Sequence, residues 1–179
     1  MLRTMILRRI ALLAVVAALA ACSDPATSPA PSSPSSTDLL LERTAALVEC
    51  PSDLSLSASA LIGPLGGEVS VGGHRIIVPR NAFTPGGFKV VTLIVPPSRY
   101  VEIEARVDGL PHFEFDEPVT VVVDYSRCAR TNIDQQPLRV WHIEPLTNTF
   151  LEDMGGVDDK QARTVTFTTD HFSGYAIAQ

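Results

Sequence analysis

What most limits the fold of this chain is an alternation of polar and apolar residues with a period of two, which recurs from Pro51 onward. In "YVEIEARV" it sets Val101, Ile103, Ala105 and Val107 on one face and Tyr100, Glu102, Glu104 and Arg106 on the other. In "RTVTFTT" it sets Val165 and Phe167 against Thr164, Thr166 and Thr168. Successive side chains of an extended strand point to opposite faces, so each run predicts a strand with one buried face and one wet face. "FKVVTLIV" and "VTVVVDY" are apolar on both faces, which predicts interior strands. Gly66-Gly67, Gly72-Gly73, Pro85-Gly86-Gly87 and Gly155-Gly156 separate the runs and predict turns. Strands at this spacing, with almost no helical periodicity, predict an all-β domain over residues 51–179, built as an antiparallel β-sandwich around one core.

The amino terminus follows other rules. Arg3, Arg8 and Arg9 precede an unbroken apolar run, Ile10–Ala21, that ends at Cys22. This is the layout of a secretory signal, and residues 1–21 are set apart from the fold as such. The run has twelve residues, short of the roughly 20 that a membrane-spanning helix needs. Leu19, Ala20, Ala21 and Cys22 resemble the bacterial lipobox, in which small residues precede a cysteine whose thiol is diacylated before cleavage. The resemblance implies a covalent lipid such as palmitate on Cys22, and a place in the bacterial cell envelope. The alternative is an ordinary cleaved signal with a chance cysteine. Two or more acyl chains hold a protein on a membrane, where one is marginal. Ser23, standing where an aspartate would favour the inner membrane, implies the outer membrane by resemblance to known sorting rules.

Residues 22–38 then read as a tether. "SDPATSPAPSSPSSTD" has hardly a side chain large enough to pack, so it is expected to stay extended. In polyproline conformation its sixteen residues would reach roughly 50 Å. Over residues 39–50, "LLLERTAALVEC" predicts a short helix capped near Thr37 or Asp38.

Charge and cysteines bound the partners. Removing residues 1–21 takes three arginines and no acid from a chain with 14 basic and 20 acidic residues, which leaves a mature net charge of −9. Such a surface argues against nucleic acid, which needs a basic footprint. With Cys22 lipidated, Cys50 and Cys128 remain as an even pair in an oxidising compartment, where disulfides persist. Two buried thiols or an intermolecular bridge are the alternatives. No metal site is expected, because the cysteines and the four histidines lack the short spacings of zinc sites.

"LIGPLGGEVSVGGHRIIVPRNAF" resembles the opening of the ZU-five domain of ankyrins, netrin receptors, tight-junction proteins and bacterial surface proteins. Ile62-Gly63, Gly66-Gly67, Ile77-Val78-Pro79 and Ala82-Phe83 carry the likeness. Asn81 stands where the family usually has glycine, and asparagine tolerates the left-handed conformation. "FEFDEPVTVVVDY" and the terminal "TVTFTTDHFSGYAIA" continue the resemblance. Pro79, lacking an N–H, is expected to end a strand, with Ala82 and Phe83 plugging the end of the sandwich.

Some members of that family cleave themselves within a His-Phe-Ser sequence. The resemblance implies a catalytic role for His171, Phe172 and Ser173: His171 takes a proton from Ser173, whose oxygen attacks the Phe172 carbonyl across a strained bond. Against this, Gly174 would let the corner relax, and the released Ser173–Gln179 piece would be a single strand. The alternative is architectural. Phe172 fills the core, His171 or Ser173 bonds a strand-end backbone group, and "GYAIAQ" closes the sheet.

Three further groups stand out. Glu152, Asp153, Asp158 and Asp159 in "LEDMGGVDDK" lack the spacing of a calcium loop and read as solvated hairpin acids. In "LRVWHIEP", His142 and Glu144 share one strand face, while Arg139, Trp141 and Ile143 share the other. Trp141 near Tyr100 or Tyr125 would suit a sugar ring, although a core or rim position is the plainer reading. Asp124, Arg127 and Arg130 flank Cys128 as a polar loop. No phosphate loop, nucleophile elbow or metalloprotease helix is present in the sequence. The expectation is a non-catalytic, lipid-anchored module that presents its sandwich to another envelope protein or a cell-wall component, without a small-molecule cofactor. Self-cleavage and glycan binding are the alternatives.

Overall fold

The computed structural model describes residues 47–50, 54–83, 87–128, 133 and 136–179. Cys22, the expected signal and tether, and Arg130 lie outside the described residues. Among the described residues the strands are β1 (Leu56–Ile62), β2 (Gly67–Val71), β3 (His74–Val78), β4 (Lys89–Val95), β5 (Glu102–Val107), β6 (Phe113–Asp124), β7 (Arg139–Glu144), β8 (Thr149–Gly155), β9 (Val157–Asp159), β10 (Thr164–Phe172) and β11 (Gly174–Ala178). They form a six-stranded sheet in the order β1-β4-β5-β11-β7-β8 and a five-stranded sheet in the order β2-β3-β6-β10-β9. The two sheets pack face to face as an antiparallel sandwich, which agrees with the period-two reading. Among the described residues no helix is long and apolar enough to cross a membrane.

The alternation places its residues as expected. Ile103, Ala105 and Val107 of β5 are buried, and so are Val165 and Phe167 of β10. The runs that are apolar on both faces became β4 and β6, each with a strand on either side. Glu102 departs from the pattern. It is buried, and desolvation raises its pKa against the lowering effect of a hydrogen bond with Ser98.

The segment Leu61–Phe83 folds as the end of β1, a turn, the β2–β3 hairpin and a corner. Asn81 has φ 61°, the left-handed conformation its position called for. Ala82 and Phe83 are buried beyond Pro79, and Phe83 meets Phe113 and Phe115 at 5.8 and 5.7 Å between ring centroids.

Three expectations change. Of the predicted helix, residues 39–46 lie outside the described residues, and Leu47–Cys50 are extended, not helical. Leu47 bridges Ala178 and Glu49 bridges Tyr100. Val48 N–H donates to Ile177 O at 2.9 Å, and Val48 O accepts from Val101 N at 3.1 Å. The reason is that β5 and β11 pair directly only along Gly174–Ala176, so this segment takes up backbone groups beyond the ladder. Next, "GYAIAQ" does not close a sheet: β11 is an interior strand between β5 and β7, with all five residues buried.

Finally, Gly155-Gly156 is not a hairpin turn but a crossing from one sheet to the other, since β8 and β9 belong to different sheets. Gly156 has φ 119°, and a Cβ there would lie 2.8 Å from Val165 Cγ1. Only glycine fits that backbone.

Cys50 and Cys128 form a disulfide with a Cα–Cα distance of 4.7 Å, closing a separation of 78 residues. It ties the extended leading segment to the loop after β6. Nearby, Tyr125 is wholly buried and its hydroxyl donates to Asp158 Oδ1 at 2.6 Å. Asp158 also accepts from Leu138 N at 2.8 Å and pairs with Lys160 at 2.8 Å. Burial alone would raise its pKa, but hydrogen bonds from Lys160, Tyr125 and Leu138 outweigh that and hold it low. Asp158 is therefore no solvated acid. Asp153 pairs with Arg139, and Asp159 accepts from Gln161 N and Ala162 N, both at 2.9 Å. Asp124 accepts from Ser126 N at 3.0 Å, which orders the polar loop leading to Cys128.

Candidate functional site

The chain passes from one sheet to the other at Ser173, between the end of β10 and the start of β11. β10 reaches that point through a register shift between Thr169 and His171. The shift turns Phe172 inward. It is fully buried and stacks edge-on against Phe115 at 4.6 Å. The His171 carbonyl is capped by Thr169 Oγ1 at 2.9 Å and by a short hydrogen bond from the Tyr175 hydroxyl. Desolvation raises the pKa of Tyr175, which keeps that hydroxyl a donor. The His171 backbone is thus held by side chains from β10 and β11, and the Ser173 carbonyl accepts from the backbone N–H of Ala105 at 3.1 Å.

The structure pairs Ser173 with a different histidine from the one the sequence suggested. Ser173 Oγ lies 2.8 Å from Nε2 of His142, which comes from β7. His171 Nδ1 is engaged by Asp170 Oδ1 at 3.0 Å and by Thr169 Oγ1 at 3.4 Å. That hydrogen bond to His171 keeps the Asp170 carboxyl below its usual range. Burial lowers the pKa of His142, and the nearby His171 and His112 lower it further against the opposing fields of Glu152 and Glu144.

Phe172, Ser173 and Gly174 all keep out of the positive-φ region. Gly174 is not a point of relaxation either. A Cβ there would lie 2.7 Å from Pro145 Cγ and 3.1 Å from Ile143 O, so glycine is needed for close packing.

Cross-strand pairing builds the rest of the site. His142 stands opposite Glu152 in the β7–β8 ladder, whose register shifts on either side of the Trp141-His142 pair. The two side chains point to the inter-sheet side, where His171 arrives from the opposite sheet. One nitrogen from each histidine and one Glu152 oxygen lie within 4.8 Å of one another. The three line a cavity of about 220 Å³ with Glu114, Phe115 and Asp170. The expected lack of metal ligands rested on spacing along the chain. The fold instead collects three candidate ligands, two imidazoles and a carboxylate, from three strands.

Trp141 lies on the other side of β7, half-buried and edge-on to Phe150 at 5.0 Å. It shares a small outer cluster with Tyr100 and Leu47. Tyr125 is in the core and takes no part in an exposed aromatic surface. Comparison with protein-family models gives no match, and comparison with curated proteins likewise gives none.

Proposed function

We propose that this protein is a lipid-anchored envelope module whose β-sandwich, of ZU-five-like design, serves a non-catalytic structural or binding role. The single feature that carries the reading is the lipobox-like Leu19–Cys22 tetrapeptide directly before a proline- and serine-rich spacer. An acylated Cys22 would moor the chain without a spanning helix. The Cys50–Cys128 bond supports an oxidising compartment outside the cytoplasm. The partner is an envelope protein or cell-wall component, and the mature charge of −9 disfavours nucleic acid. Labelled palmitate should enter the wild-type protein and fractionate with membranes. Cys22→Ser should lose both label and membrane association, and an unlabelled wild-type protein would refute the anchor.

A second reading is self-cleavage between Phe172 and Ser173, favoured by the contact of Ser173 Oγ with His142. His142 Nε2 would take the hydroxyl proton while Oγ bonds to the Phe172 carbonyl carbon. The Ser173 nitrogen would leave with that proton, and water would then split the ester into a Phe172 carboxylate and a free Ser173 hydroxyl. The carboxy-terminal piece would remain bound as interior strand β11. The cut would therefore appear only after denaturation, and a single uncut mass in aged protein would remove this reading.

A further inference from the structure

We propose that His142, Glu152 and His171 bind one divalent transition-metal ion of zinc's ligand preference, bridging the two sheets at the β10–β11 corner. The three donors come from β7, β8 and the end of β10, so the ion would join the six-stranded sheet to the five-stranded one. Two imidazoles and a carboxylate are a ligand set that zinc and its neighbours accept. Calcium and magnesium prefer more oxygens than this corner brings together.

Second-layer contacts favour the same reading. Asp170 Oδ1 on His171 Nδ1 sets the tautomer that leaves the Nε2 lone pair available. This carboxylate–histidine arrangement is the usual support for a metal-bound imidazole. Ser173 Oγ on Nε2 of His142 orients the second ring in the same way. Nδ1 of His142 and Nε2 of His171 hydrogen-bond to none of the described residues, so both are free to coordinate.

The fit requires only a small contraction. Bonds of 2.0–2.1 Å in a tetrahedral site place neighbouring donors about 3.3 Å apart, against a largest separation of 4.8 Å here. Glu152 is exposed on edge strand β8 and the two histidines are half-buried, so side-chain rotation closes the gap. Three protein ligands leave one position facing the cavity, open to water or to a donor from another molecule.

The test is titration of the detergent-solubilised full-length protein with Zn²⁺ by calorimetry, and with Co²⁺ by visible absorption. The expected result is one ion per chain, with the strong absorption of low-coordinate Co²⁺. Asp170→Asn should weaken binding by about 10–100-fold. His171→Gln, His142→Gln and Glu152→Gln should each weaken it further, while His112→Gln should leave it unchanged. Near-ultraviolet circular dichroism confirms the fold of each variant, and Glu152→Gln alters only an exposed side chain. Absence of uptake, or equal uptake by wild type and the three ligand variants, would overturn the proposal. Loss on His112→Gln alone would also overturn it. None of these outcomes depends on the lipid anchor.

Discussion

The two ends of the β6–β10 strand pair are made from the same kinds of residue and are used in opposite ways. At one end His74 is buried, and its Nδ1 accepts from Asp124 N at 3.2 Å. Beside it Tyr125, Asp158 and Lys160 satisfy one another, and Arg163 donates to Cys128 O at 3.0 Å. At the other end His142, Glu152 and His171 converge on a cavity, with a donor atom on each histidine left without a partner among the described residues. Polar groups sealed with partners fix a fold, while polar groups that converge on open space remain available for chemistry. The contrast separates residues that hold the sandwich together from residues that can act on something else.

The sharpest way to break the comparison is at the sealed end. Cys50→Ala with Cys128→Ala should cost about 4 kcal/mol, from the loop entropy of a closure of this length, read as a lower denaturation midpoint. Acid is the next test. Burial lowers the His74 pKa from 6.5 to about 4, so its contribution is complete above pH 6.5 and fades as pH falls toward 4. Below pH 6.5 the unfolded state binds the extra proton, so stability must fall, by about 3 kcal/mol at pH 4. His74→Gln should flatten that part of the stability curve, and an unchanged slope would contradict the assignment.

Asp158→Ala should follow at about 2–3 kcal/mol, because it strands the Tyr125 hydroxyl and the Leu138 N–H. At the open end, Glu152→Gln should move stability by less than about 0.5 kcal/mol in metal-free buffer. A loss comparable to that of Asp158→Ala would erase the distinction between the ends.

Much of the fold was legible because alternation follows directly from strand geometry: β5, β10, β4 and β6 lie where their side-chain patterns require. The left-handed φ of Asn81 agrees with an expectation that came from the resemblance, which has glycine at that place, and not from alternation. The disulfide followed from counting, once Cys22 was assigned to lipid. What escaped depended on register between distant strands. Nothing local in "GYAIAQ" distinguishes an interior strand from an edge. The apolar residues of "TAALVEC" suit a helix until β5 and β11 offer backbone partners to Leu47–Cys50.

The corner site was half visible. Ser173 and the two histidines were each noticed, but His171 was matched to the serine because it is two residues away. The fold gives that place to His142, which is 31 residues away. Glu152 is solvent-exposed as expected, but nothing local signalled that β7 and β8 would set it opposite His142. Asp158 differs from its neighbour Asp159 only through the partners that the sheet crossing brings to it.

The central claim, an uncut sandwich moored by lipid, meets its most direct test in the intact mass of protein extracted from membranes and denatured without reduction. The account predicts one species that begins at Cys22, keeps Phe172 joined to Ser173, and carries acyl chains and one disulfide. An unlipidated mass, or a separate peptide of Ser173–Gln179, would contradict it.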